Sequence, residues 1–289
     1  MNSVLVLGVC TDYSDNTRNW KNSLIKNNYD FKIIGYGEKW GGWSWRTKQI
    51  INALQNIPDN IIIILADVTD VLFIKSSSSL VDFFLKFESH SIPHGEKVII
   101  GAEAACCTGK YSSDINPESR NKIIHLLQKK NQDSRYIFPN GGVLIGRKDI
   151  LLSLLIDNQN EDDDQIGYLE KYITNDNRIY LDKHAHFIGN INDIGSNHKV
   201  MVNDNDADEI DYWDITKNGV TNKEYNTSPF ILHFPGKNWK DYNKIGNLFF
   251  KDNFINNETY SLRNKVFFTI VLVLAIALII YIYRRKNGK

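Results

Sequence analysis

Apolar runs recur along the chain at intervals, separated by polar segments of helical length. Asn2 to Cys10 is a nearly unbroken apolar stretch, the pattern of a strand covered on both faces. A polar turn and a predicted helix over Asn16 to Lys26 follow. Tyr29 to Ile34 is a second strand, running into the glycine-bearing segment GYGEKWGGW. Ser44 to Asn56 has helical spacing and stops at Pro58-Asp59. Asn60 to Ala66, NIIIILA, is the clearest buried strand, an unbroken β-branched run. Helical spacing returns over Ser77 to Phe87, and Lys97 to Ala102 is again a strand. Strands alternating with helix-sized segments imply βαβ units, hence an α/β class with a mainly parallel central sheet. Phe138 to Gly146, FPNGGVLIG, reads as a turn feeding a short strand. Its paired glycines suit a tight bend or a close backbone approach. Asn190 to Asn226 is Asn- and Asp-rich and predicts surface loops with short strands.

The end of the chain breaks this pattern. Val266 to Tyr283 is an apolar run without charge, followed by Arg284, Arg285 and Lys286. Eighteen helical residues would rise about 27 Å, near the lower limit for a hydrocarbon core of about 30 Å. The expectation is a single-pass transmembrane helix over 266–283, with the membrane as a partner and a membrane localisation. The basic cluster favours a cytosolic tail, Arg263 and Lys265 weaken that inference, and the side of the large domain stays open. The predicted organisation is a domain over 1–240, a terminal helix and stem over 241–265, the span, and a basic tail over 284–289.

Composition adds a few exclusions. The 289 residues carry 34 basic and 34 acidic side chains, so the net charge is zero and no basic nucleic-acid footprint exists. Three cysteines exclude a disulfide-built scaffold. The abundance of Asn and Ile fits an AT-rich genome such as that of a large DNA virus.

Candidate chemistry gathers at the predicted strand ends, where open α/β sheets bind their ligands. Asp67 and Asp70 leave the IIIILA strand in ADVTD and can turn toward one Mg²⁺ or Mn²⁺ ion, or can cap local turns. Glu161 to Asp164 form a second acidic group before IGYLEKYI. One acid there caps a helix; the others either face solvent or meet a positive or hydroxyl-bearing ligand. His233 ends the apolar segment PFILH, as a metal ligand or as a core histidine, and Lys237 follows in PGK. Trp40, Trp43 and Trp45 crowd one loop and can stack on a ligand or anchor the core. No GxxxxGK[ST], HExxH, GxSxG or early GxGxxG is present, which removes the common nucleotide, zincin and hydrolase signatures.

These motifs have an order. VLVLGVCT with Thr11, GYGEKWGG with Trp40, and IIIILADVTD with Asp67, Thr69 and Asp70 come first. Glu103 in IGAEAACC, Asn140-Gly141-Gly142, DDDQ ending at Gln165, and His233 follow. The series resembles the glycosyltransferase domain of the procollagen lysyl hydroxylase/glycosyltransferase family over about residues 3 to 240. The resemblance implies a GT-A-type nucleotide-sugar-binding fold. It implies Asp67, Asp70 and His233 as ligands of Mn²⁺ (or Mg²⁺), and UDP-glucose or UDP-galactose as donor. Thr11, Trp40, Thr69, Gly236 and Lys237 then match the nucleotide side, and Asp163 and Asp164 the sugar and acceptor side, where catalysis is expected. Thr69 stands where the family has tyrosine, and His233-Phe234-Pro235-Gly236 where it has His-Gly-Asn. The implied acceptor is a protein or glycan hydroxyl, with (galactosyl)hydroxylysine of a collagen-like protein as one candidate. An inactive binding module and a nucleotidyltransferase are the alternatives.

Overall fold

Ile62–Ala66 forms β3, the strand around which the molecule is built. Successive side chains of a strand point to opposite faces. Accordingly Ile63 and Leu65 enter one core, while Ile62, Ile64 and Ala66 enter another on the far side of the sheet. The computed structural model describes residues 3–91, 97–104, 109–111, 115–191 and 212–256.

The chain runs β1 (Val4–Val9), α1 (Asp15–Lys26), β2 (Asp30–Ile34), α2 (Trp43–Leu54), β3, β4 (Val71–Phe73), α3 (Ser77–Ser91) and β5 (Val98–Glu103). It continues through α4 (Pro117–Lys130), β6 (Phe138–Arg147), α5 (Lys148–Ile156), α6 (Asp164–Ile173), β7 (Ile179–Asp182) and β8 (Ile188–Asn190). The last described elements are β9 (Trp213–Thr216), β10 (Gly219–Asn222), β11 (Ile231–His233) and α7 (Trp239–Phe250). The central sheet has the order β2-β1-β3-β6-β5-β7. Strand β6 is antiparallel to both its neighbours, and the other five strands share one direction. A smaller sheet, β4-β11-β8, adjoins it, and β9 and β10 form a hairpin.

Helices cover both faces of the central sheet, as a two-sided apolar strand pattern requires. Ile50, Ile51 and Leu54 of α2 and Leu151, Leu154 and Leu155 of α5 pack with Leu7, Ile63 and Leu144 on one side. Trp20 and Leu24 of α1 and Leu80 and Phe84 of α3 pack with Val6, Ile64 and Ile145 on the other. A third cluster holds Tyr242, Ile245 and Phe250 of α7 against Leu72, Leu232 and Phe234. The unit Met1–Phe254 contains all of these elements.

Two expectations are corrected. FPNGGVLIG is strand throughout, and the glycines sit where the pairing of β6 with β5 shifts register between Ile100 and Gly101. A β-bulge absorbs the extra residues that read as a turn in sequence. The second correction concerns the expected transmembrane helix. Residues 266–283 lie outside the described residues, and among the described residues no helix is long and apolar enough to cross a membrane. The longest, α3, has 15 residues, about 22 Å of rise against the roughly 30 Å of a hydrocarbon core. An apolar run alone therefore carried the single-pass localisation and the membrane partner, and neither is retained.

Candidate metal and sugar-transfer site

The site grows from the carboxyl end of β3. Asp67 is the first residue past that strand, and its N–H donates to the Gly142 carbonyl at 2.9 Å, fixing the turn against β6. Asp70 immediately precedes β4. Strand β11 pairs antiparallel with β4, setting His233 opposite Val71, and the Phe234 N–H donates to the Asp70 carbonyl at 2.9 Å. Ile231 faces the core shared with Val71 and Val143. His233, two residues on, projects to the same face.

The result is a cluster in which one ligand atom from each of Asp67, Asp70 and His233 lies within 4.8 Å of the others. His233 is 3% exposed, and its Nε2 is 3.7 Å from Asp70 Oδ2. Its Nδ1 bonds Asn190 Oδ1 at 2.8 Å, while Asn190 Nδ2 donates to the Ala102 carbonyl at 2.8 Å. The Asn190 amide is thereby oriented with its oxygen toward the ring. With Nδ1 as the donor in that bond, Nε2 is the nitrogen left on the carboxylate side to meet a cation. Gly142 makes room for the ring: a methyl there would lie 2.6 Å from Nε2 and 2.9 Å from Nδ1. Two carboxylates and an oriented imidazole nitrogen are a donor set suited to a divalent cation such as Mn²⁺ or Mg²⁺.

The electrostatics are tightly balanced. Burial pushes the Asp67 carboxyl up to about 6; Arg46 opposes the shift and Asp70 adds to it. Burial works against a charge on His233, but the Asp70 carboxylate, joined by Asp67 and Glu103, outweighs it and raises the pKa.

Arg46 and Asn190 are participants that the sequence patterns did not single out. Arg46 lies one helical turn before Ile50 on the inner stripe of α2. Its Nη2 donates to Asp67 Oδ1 at 2.6 Å and its Nη1 to Asp164 Oδ2 at 2.7 Å. Burial opposes its charge, but the two carboxylates prevail and raise its pKa. The available signal was a lone charge on an otherwise uncharged stripe. Asn190 had only its place at the end of FIGN.

The other expected residues are distributed as follows. Asp163 caps α6, its Oδ1 accepting from Gln165 N at 3.1 Å and Ile166 N at 3.4 Å. Asp164 opens that helix, buried against Arg46. Gln165 Nε2 donates to Glu103 Oε1 at 2.9 Å, joining α6 to β5. Thr69 is exposed and its hydroxyl donates to Asp70 Oδ1 at 3.3 Å. Thr11, at the end of β1, accepts on its carbonyl from the Gly37 N–H at 2.9 Å. Trp40 is 45% exposed and packs edge-on against Trp43 and Trp45. Thr11 lies two residues beyond β1 and Trp40 six residues beyond β2, both outside the three-residue cluster. Gly236, at φ +72°, occupies an exposed turn with open space around it. Lys237 belongs to the same turn, Pro235–Lys237, and its side chain is outside the described set.

Known proteins place this arrangement in context. A multifunctional procollagen lysine hydroxylase and glycosyltransferase of Caenorhabditis elegans is 24% identical over 259 residues, 84% of this chain and 32% of that protein. Uncharacterized protein R699 of Acanthamoeba polyphaga mimivirus is 22% identical over 188 residues, 62% of this chain and 37% of that protein. The chain thus spans about a third of the length of the curated relatives it matches. Two crystal structures show loose likenesses. A glycosyltransferase involved in glycosylation of the major capsid of PBCV-1 has a TM-score of 0.45 and 10% identity, with 85% of this chain and 99% of that one covered. A197 from STIV has a TM-score of 0.36 and 13% identity, with 62% and 81% covered. The family model described as the PLOD GT domain matches residues 1–260, and the chain belongs to that family.

Proposed function

We propose that this chain is a metal-assisted glycosyltransferase that moves glucose or galactose from UDP-glucose or UDP-galactose to an acceptor hydroxyl. The observation that carries the reading is the Asp67, Asp70 and His233 cluster at the carboxyl end of the central sheet, in a chain of the PLOD GT domain family. Those three residues would hold Mn²⁺ or Mg²⁺. A cation bound there supplies positive charge to a diphosphate leaving group. Asn190 keeps the His233 ring turned so that Nε2 faces Asp70. Thr11, Trp40, Thr69, Gly236 and Lys237 form the nucleotide side of this reading. The exposed backbone of Gly236 suits the approach of phosphate oxygens. Asp163 and Asp164 form the sugar and acceptor side, where a carboxylate can orient an acceptor hydroxyl or favour a cationic sugar.

The acceptor class is a protein or glycan hydroxyl, and hydroxylysine or galactosyl-hydroxylysine in a collagen-like peptide is the first candidate. Incubation with each UDP-hexose, Mn²⁺ and such peptides, read by mass spectrometry, tests the reading. A peptide that gains one hexose supports it. Pyrophosphate release would identify nucleotidyl transfer instead, and retained UDP binding without UDP-hexose turnover would identify a binding module.

A further inference from the structure

Arg46 joins two acids that come from different parts of the fold. Asp67 follows β3, and Asp164 opens α6; one buried guanidinium, 6% exposed as a residue, bonds both. The N–H groups of a guanidinium point in fixed directions within one plane. Bonds from its two terminal nitrogens therefore set the separation and orientation of the carboxylates that receive them. Trp43, 41% exposed, lies over the guanidinium with its ring centroid 5.5 Å away.

Core packing alone does not account for this cation. Ile50, Ile51 and Leu54 complete the buried stripe of α2 without charge. An apolar residue at position 46 would extend that stripe and avoid the desolvation of a buried ion pair. The charge is explained by the acids it meets, one among the candidate cation ligands and the other on the sugar side.

We propose that Arg46 is a positioning residue that locks the cation-binding and sugar-facing halves of the site at one spacing and, by dividing its charge between Asp67 and Asp164, sets how strongly Asp67 holds a cation. The inference rests on the metal-assisted transfer reading and adds to it a coupling between the two halves.

The test uses the whole chain and Mn²⁺ itself, by titration calorimetry, with UDP-hexose turnover as the second measurement. In Asp164→Asn the guanidinium turns its full charge on Asp67. Mn²⁺ affinity should then fall about tenfold, the range for partners lying behind the ligands, although Asp164 is not one of the three ligands. In Arg46→Met the competing charge is gone, so Mn²⁺, titrated at alkaline pH where Asp67 stays ionised, should bind at least as tightly as in the wild type. Turnover should nevertheless drop on the order of 100-fold in kcat, with a smaller change in KM, because the spacing is lost. Arg46→Lys restores charge but not the fork, and should recover less than about a tenth of wild-type kcat. Wild-type Mn²⁺ affinity in Asp164→Asn, or full recovery in Arg46→Lys, overturns the proposal. If Asp164→Asn does not fold, weakened Mn²⁺ binding in Arg46→Met overturns it in the same way. A wild-type chain that binds no Mn²⁺ sinks the cation reading and this inference with it. A wild type that binds while Asp164→Asn leaves the affinity unmoved sinks this inference alone.

Discussion

Gly142→Ala puts a methyl group where the His233 imidazole packs. The new carbon would stand 2.6 Å from Nε2 and 2.9 Å from Nδ1. Ordinary non-bonded separations are about 3.5 Å, so ring and strand must separate by roughly 1 Å. Little nearby can yield. The ring is buried and bonded to Asn190 at 2.8 Å, and β11 is paired on both sides, with β4 and with β8. Overpacking of this kind costs about 1–3 kcal/mol, which for a chain of this size lowers Tm by about 3–10 °C. The displaced imidazole also leaves the carboxylate side of the site, so Mn²⁺ affinity should fall at least about tenfold. Thermal denaturation and calorimetric titration with Mn²⁺ read the two effects separately. Gly146→Ala, on the same strand, is the control, because its nearest neighbours would be at 3.4 Å and can accommodate a methyl. Unchanged Mn²⁺ affinity in Gly142→Ala would refute the claim that His233, in this position, is a ligand.

Further expectations follow from the same geometry. Asn190→Ala removes the acceptor for His233 Nδ1 and frees the ring, and Mn²⁺ affinity should weaken about 10- to 100-fold by titration. Asp67 has its pKa raised from 3.8 to about 6, so protons compete with the cation as pH falls through 6. Mn²⁺ binding should therefore weaken about tenfold between pH 7 and pH 5 from this group alone. In the metal-free chain the sign is opposite: the protonated carboxyl favours folding below 3.8, and that contribution is lost as pH rises through 6. Asp182 accepts from the N–H groups of His186, Phe187 and Ile188 at 2.8–2.9 Å and shapes the turn that leads to Asn190. Asp182→Ala should cost roughly 2–4 kcal/mol in denaturant unfolding, since it strands buried donors.

The strands were legible because both faces of the central sheet are covered, so their residues form continuous apolar runs. NIIIILA marks β3 and VLVLGV marks β1 for that reason. Family membership was legible in the order of the motifs, though no single motif was specific. Asp67, Asp70 and His233 could be suspected from their places at strand ends, but only the β4–β11 pairing brings the histidine, more than 160 positions later, beside the acids. The partnerships of Arg46 and Asn190 were hidden for the same reason. Arg46 meets an acid 118 residues away, and Asn190 a histidine 43 residues away. Sequence periodicity records which face a residue occupies, not which distant residue waits there. The acidic run illustrates the point. Asp163 caps the helix, as its composition suggested, and the positive group facing Asp164 is the protein's own arginine. The FPNGGVLIG segment misled because paired glycines mark both turns and bulges, and only the partner strand distinguishes them.

The decisive measurement is UDP release from UDP-glucose and UDP-galactose, compared with and without Mn²⁺ in the wild type and in Asp67→Ala. If Asp67, Asp70 and His233 hold the working cation, the wild type releases UDP from at least one donor only when Mn²⁺ is present, and a folded Asp67→Ala chain does not. Metal-independent release, or wild-type turnover in Asp67→Ala, would contradict it.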